Sequence, residues 1–162
     1  MLPKYPEETH LAEFSDNGRT FKLHPEALNA WKKMNAKARS DGVQLHIVSA
    51  FRSVLRQTEI IAGKKKKGFA EEEIFKVSAL PGHSEHHTGR AIDLNTNDYP
   101  PLEEAFEESE AFHWLLRNAK DFGFRLSYQR NNAYGIAYEP WHWFYEEVAQ
   151  QITSDNADKP RV

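Results

Sequence analysis

From Pro25 onward, apolar residues fall at helical spacing, at Leu28, Trp31, Met34 and Ala38, until Asp41-Gly42 stops the run. This predicts a helix with a proline in its first turn. Val43, Leu45 and Ile47 then alternate with Gln44 and His46, the period of a half-buried strand that runs into Ser49-Ala50-Phe51-Arg52 and leaves Arg52 at its end. Ser53 suits the N-cap of a helix carrying Leu55, Ile60 and Ile61 and closed by Gly63; Lys64 to Lys67 read as a solvated loop, and a second short helix is expected around Glu71 to Val77. Leu80 to Gly89 has no period. Arg90 to Leu94 reads as a short strand and Asn95 to Pro101 as a polar loop. Ser109 to Phe122 reads as a helix with Phe112, Leu115, Leu116 and Ala119 inward and Gly123 as its terminator. Phe124 to Tyr128 and Ala137 to Tyr145 form an expected strand pair. Residues 1–22 show little periodicity and are expected to wrap the surface, with a turn at Asp16-Asn17-Gly18, and Thr153 to Val162 are expected to fray. Helices and strands do not alternate regularly, which predicts an α+β fold: one domain over residues 1–162, a small, mainly antiparallel sheet with flanking helices, and a motif-bearing core over about 24–150.

Composition narrows the chemistry. A chain of 162 residues with 40% hydrophobic content buries about 70% of its unfolded surface and needs no staples. It has no cysteine, which excludes a disulfide framework, thiolate zinc fingers, iron–sulfur ligation and a cysteine nucleophile, and leaves the redox compartment open. Any metal must be held by histidine and carboxylate. A mean hydropathy of -0.74 and the lack of a long apolar run predict no transmembrane segment, and MLPKYPEETH lacks the pattern of a secretory signal. The expected location is the cell envelope or periplasm if a signal was removed, and the cytoplasm otherwise. The net charge of -3, with the lysine cluster followed at once by Glu71, Glu72 and Glu73, argues against a nucleic-acid partner.

The segment Gly82-His83-Ser84-Glu85-His86-His87-Thr88-Gly89-Arg90-Ala91-Ile92-Asp93 concentrates three of the eight histidines, a density that suggests a metal. Asp93 falls in an apolar strand, where an unpaired buried carboxylate costs several kcal/mol, so it needs a cation or several donors. A further ligand must come from elsewhere, and Glu139-Pro140-Trp141-His142-Trp143 offers one. In a regular strand Glu139 and His142 point to opposite faces; Pro140 removes a ladder donor and favours an edge or bulge that turns both to one site. Two histidines and one aspartate leave a fourth tetrahedral position for water, and Glu139 is the natural base for it. His83 and His87 are expected either behind the metal ligands or at the rim of the site, able to hydrogen-bond a substrate carboxylate, while Trp143 and Phe144 are assigned to packing.

Ser84-x-His86-x-x-Gly89-x-Ala91-x-Asp93 with Glu139-x-Trp141-His142 resembles the paired signature of the VanY-type D-alanyl-D-alanine carboxypeptidases, within the wider lysostaphin-like and hedgehog-like zinc folds. Ser49-Ala50-Phe51-Arg52-Ser53 with Gln57 resembles the segment Ser-Gly-Tyr-Arg-Ser-x-x-x-x-Gln of the same family. The resemblance implies a hydrolase that binds one zinc ion through His86, Asp93 and His142, with Glu139 as catalytic base and Arg52 engaging the substrate. Gln57, Ser84 and Trp141 are further candidates for substrate contact. Phe51, Ala50, His87 and Gln129 depart from the family pattern and bear on substrate subclass rather than on the chemistry.

The expected function is zinc-dependent release of C-terminal D-alanine from bacterial peptidoglycan stem peptides or their precursors, by a monomer. One alternative keeps the site and changes the bond, as an L,D-carboxypeptidase or an endopeptidase on muropeptides. Another, from a different class, is a zinc-stabilised cell-wall or protein binding module without turnover.

Overall fold

Asn17 and Gly18 both adopt positive φ, 48° and 78°, the geometry of a two-residue hairpin turn that matches strand twist. The chain therefore doubles back as β1 (Ala12–Asp16) and β2 (Arg19–Leu23), with Phe14 opposite Phe21, where the weak periodicity suggested irregular wrapping. The computed structural model describes residues 2–146, so the expected fraying of Thr153 to Val162 lies outside the described residues.

Helix α1 (Pro25–Ser40) follows the predicted span, with Pro25 in its first turn, the ring of His24 accepting the N–H of Glu26, and Ala27, Trp31, Met34 and Ala38 buried. Strand β3 (His46–Ser49) leads to α2 (Val54–Lys66), which Ser53 caps through Oγ to the N–H of Arg56. Gly63 does not end α2. The helix runs on so that Lys64 to Lys66 form its last turn instead of a loop, a place where cations meet the negative end of the helix dipole. The short helix α3 (Glu71–Val77) stands where expected, and β4 (Ala91–Asn95) follows a 3-10 turn at Glu85–Thr88. Helix α4 (Glu110–Asn118), capped by Ser109, continues as a 3-10 turn over Ala119–Phe122 and stops at Gly123. Leu116 is 53% exposed, contrary to expectation, because the buried face is set by Ala111, Phe112, Trp114 and Leu115 and Leu116 falls about 100° past Leu115. Strands β5 (Phe124–Leu126) and β6 (His142–Tyr145) complete the list; β6 is shorter than predicted because Pro140 cannot join a ladder, and residues 140 and 141 form a turn.

The second sheet has the order β3-β4-β6-β5, antiparallel throughout, which is the α+β arrangement with flanking helices that the pattern implied. One of its two inner strands, β4, is buried along its whole length. Side chains alternate across a strand, so Ile92 and Leu94 join α1, α4, Ile47, Trp143 and Tyr145 in the core, while Asp93 faces the other way. Register then decides what meets Asp93. Ser49 pairs with it from β3 and His142 from β6, so both share its face. Residues ahead of the hairpin close over this side: Tyr5 N–H donates to Gly82 O at 2.7 Å, Glu8 N–H to His87 O at 2.9 Å, and Val54 N–H to Glu7 Oε1 at 2.6 Å. No helix among the described residues is long and apolar enough to cross a membrane.

Candidate active site

Three elements bring the donor atoms together. Ser84 Oγ accepts the N–H of His86 and caps the 3-10 turn, which ends at Gly89 with φ 69°. A side chain at Gly89 would strike Leu11 at 2.8 Å and the backbone nitrogen of His24 at 2.9 Å, so only glycine lets the turn feed β4 here. His86, Asp93 and His142, all buried, then present ligand atoms within 4.8 Å of one another.

The protons of this cluster can be assigned from its partners. His86 Nδ1 lies 2.7 Å from the carbonyl of Ala50, which only accepts, so Nδ1 carries the hydrogen and Nε2 turns its lone pair to Asp93 Oδ2 at 3.2 Å. His142 Nε2 donates to Glu85 Oε1 at 2.9 Å, and its Nδ1 lies 2.9 Å from Asp93 Oδ1. Burial alone lowers the pKa of His142, but the bonds to Asp93 and Glu85 outweigh it and raise the ring to about 10. Burial likewise works against the Asp93 carboxylate, and His86 and His142 reverse that, holding it well below the usual range. The proton on His142 Nδ1 bridges to Asp93; with that proton displaced, the lone pairs of His86 Nε2 and His142 Nδ1 and the Asp93 carboxylate converge on one point. Two imidazoles and a carboxylate, with the far nitrogen of each ring already engaged, fit a divalent cation.

Glu139 precedes β6, where the turn at Pro140 brings it to the same face: His142 N–H donates to Glu139 O at 3.2 Å, and Glu139 Oε2 lies 3.8 Å from His142 Nδ1. Burial, with the Asp93 and Glu85 charges adding to it and His142 and Arg52 opposing it, raises Glu139 to about 7. Arg52 donates from Nη1 to Gln57 Oε1 and from Nη2 to Ser49 Oγ, each at 3.0 Å, and no carboxylate lies within ion-pair distance of it among the described residues. Burial disfavours its charge, which Asp93 and Glu139 favour. A cavity of about 60 Å³ joins these groups, lined by Arg52, Gln57, Ser84, His86, Glu139 and His142 among others. Tyr128 also lines it and stacks on His142 at 4.7 Å between ring centres.

Some expectations for the neighbours change. Gln57 is buried and holds Arg52, its own amide donating to Ala79 O at 2.7 Å. Trp141 is half-buried and walls a larger adjoining groove. Of the two places expected for His87, behind the ligands or at the rim, it takes the inner one. It is fully buried, with Nδ1 on the carbonyl of Arg52 at 2.7 Å and Nε2 accepting from Gly82 N–H at 3.1 Å, so it ties the arginine's backbone to the site loop. His83 Nδ1 meets the carbonyls of Leu2 and Pro3. Glu85 was missed. It is 2% exposed, accepts from His142, lies 3.7 Å from Arg125, and is also bonded by Ser127 and Tyr128. The available signal was its place between Ser84 and His86, one residue from a candidate ligand.

Comparison with known proteins places this geometry in a family. The chain is 33% identical over 138 residues to the Bacillus subtilis protein YodJ, covering 83% of this chain and 50% of that protein. It also matches an Enterococcus faecalis D-alanyl-D-alanine carboxypeptidase, of which it spans 42%, so it covers half or less of these two curated relatives. Among solved structures it is similar to the LdcB LD-carboxypeptidase, with a TM-score of 0.78 and 32% identity over 96% of this chain and 77% of that one. It is similar, too, to the vancomycin-resistance D,D-pentapeptidase VanY solved in complex with Zn(II), with a TM-score of 0.69 and 28% identity over 94% of this chain and 86% of that one. The family model for VanY, D-alanyl-D-alanine carboxypeptidase, matches residues 20–148, a span that contains every group described above except the overlying N-terminal segment, and the chain belongs to that family.

Proposed function

We propose that this protein is a zinc carboxypeptidase that removes C-terminal D-alanine from peptidoglycan stem peptides or their precursors. The observation that carries this reading is the convergence, beside one face of the sheet, of three metal donors, a largely buried carboxylate with a raised pKa, and an arginine with no acidic partner within ion-pair distance among the described residues. His86, Asp93 and His142 would hold the zinc, which when bound supplies Lewis acidity toward water and the scissile carbonyl.

The chain's own groups do the rest. Glu139 takes a proton from the attacking water as the C–O bond forms, and returns it to the leaving amine as the C–N bond breaks. Its raised pKa suits both halves of that exchange near neutrality. Arg52, held by its bonds to Gln57 and Ser49, directs its remaining N–H groups to the terminal carboxylate, which restricts cleavage to the last residue. Tyr128 covers His142 and limits water at the cluster. Every group needed comes from one chain, in keeping with a monomer and with one catalytic domain whose core spans about 24–150.

A second reading is favoured by the likeness to LdcB: the same groups cleaving D-alanine from an L,D terminus, with pocket shape choosing the stereochemistry. The test is release of D-alanine from matched peptides ending in D-Ala-D-Ala and in an L-residue followed by D-Ala, with and without chelator. Chelator-sensitive release from the first supports the main reading, and from the second alone the other. Stoichiometric zinc with both peptides intact would leave the binding module standing.

A further inference from the structure

Four consecutive lysines close α2, and three of them are exposed, Lys65 pairing with Glu71 at 2.9 Å. Lys64 behaves differently. It is half-buried, donates from Nζ to Ser78 Oγ at 2.6 Å, and has no carboxylate within ion-pair distance among the described residues. Its pKa is lowered by burial and by Arg52, against the pull of Glu139. A cation held half-desolvated and beside another cation is unfavourable unless an anion joins it.

The surroundings say where that anion comes from. Lys64 lines a groove of about 430 Å³, together with Ile60, Leu102, Trp141 and the two site residues Arg52 and Glu139. The groove opens on the cavity of about 60 Å³, sharing Arg52, Val77, Ser78 and Glu139 with it. The small cavity contains both histidine ligands, so it takes the reacting carbonyl and the released residue; the larger groove is left for the retained part of the peptide. Val77 and Leu102, 52% and 47% exposed, give the groove apolar lips. Ser78 stands at the junction. Its oxygen accepts from Lys64, and two ammonium protons and the hydroxyl proton have no protein acceptor among the described residues.

We propose that Lys64 and Ser78 form a second carboxylate subsite, which selects peptides bearing a side-chain carboxylate on the residue just before the terminal D-Ala-D-Ala pair. The terminal carboxylate goes to Arg52, so the preferred ligand is dianionic. This inference rests on the carboxypeptidase reading above, and its test separates the two.

Acetyl-Glu-D-Ala-D-Ala and acetyl-Gln-D-Ala-D-Ala have nearly the same shape and differ in one charge. The wild-type protein should favour the first by about tenfold in kcat/KM, the scale of one charged hydrogen-bonded contact. Lys64→Gln should bring the ratio near one, Lys64→Glu should invert it, and Ser78→Ala should lower it part-way. A wild-type ratio near one, or a ratio that survives Lys64→Gln, overturns the subsite. If neither peptide is cleaved, calorimetry of both on the Glu139→Gln protein decides. A Lys64-dependent difference in affinity keeps the subsite while the hydrolytic reading falls, and equal affinities remove it.

Discussion

The two faces of β4 are built on opposite rules. On one, Ile92 and Leu94 pack among apolar neighbours whose contributions are numerous, short-ranged and interchangeable in kind. On the other, Asp93 meets His86 and His142, and each of the three depends on the other two for its charge or lone pair to be tolerable in a buried place. The apolar face loses stability by degrees when trimmed. The polar face loses its purpose at the first deletion, because removing one partner leaves the others uncompensated.

The largest break in that contrast is His86→Ala. Elemental analysis should find the bound zinc gone and peptide assays should find turnover at background, since two remaining donors do not close a site. Glu139→Gln should retain zinc yet lower turnover about 10²–10⁴-fold, the usual worth of a positioned base. Equal metal loss in the two variants would make Glu139 a ligand. In the unmodified protein kcat/KM should fall on acidification as Glu139 takes up its proton, at or below about 7, because only the carboxylate can accept from water and a nearby cation favours that form. This limb should be absent from the residual activity of the Gln variant. Glu85→Gln, which keeps the shape but weakens the grip on His142 Nε2, should cost about 10–100-fold in zinc affinity, read by competition with a chelator. On the apolar face, Ile92→Val should lower stability by about 1 kcal/mol, a melting shift of about 2–4 °C, with turnover of the folded protein intact.

The same contrast governs how much the sequence discloses. Helix α1, the Ser53 cap and the short strand before Asn95 declare themselves because hydrophobic period and capping chemistry are local. That Asp93 needs a cation was legible for another reason, since a carboxylate in an apolar strand has few ways to be satisfied, whereas the choice of His86 over His83 and His87 came from the resemblance to the paired family signature. What escaped was set by distant partners. The hairpin at Asn17-Gly18 pairs strands too polar to show a clear alternation. The buried status of His87 depends on the carbonyl of Arg52, thirty-five positions away, and that of Glu85 on His142, fifty-seven away; for Glu85 the one local signal was the candidate ligand beside it, which does not disclose the bond to His142. Lys64 was hidden by its like-charged company, since the turn of a helix, not composition, decides which lysine faces inward.

Asp93 and His142 are opposite each other in the β4–β6 ladder, and a slip of one residue would trade them for Ile92 and Trp143 on that face. An ion shared across the rungs therefore inspects the alignment of the sheet: misthreaded chains have nowhere to hold it, and correctly threaded ones gain from doing so. Scarcity of the ion should then shorten the lifetime of the molecule as well as silence it, coupling abundance to supply without any separate sensor.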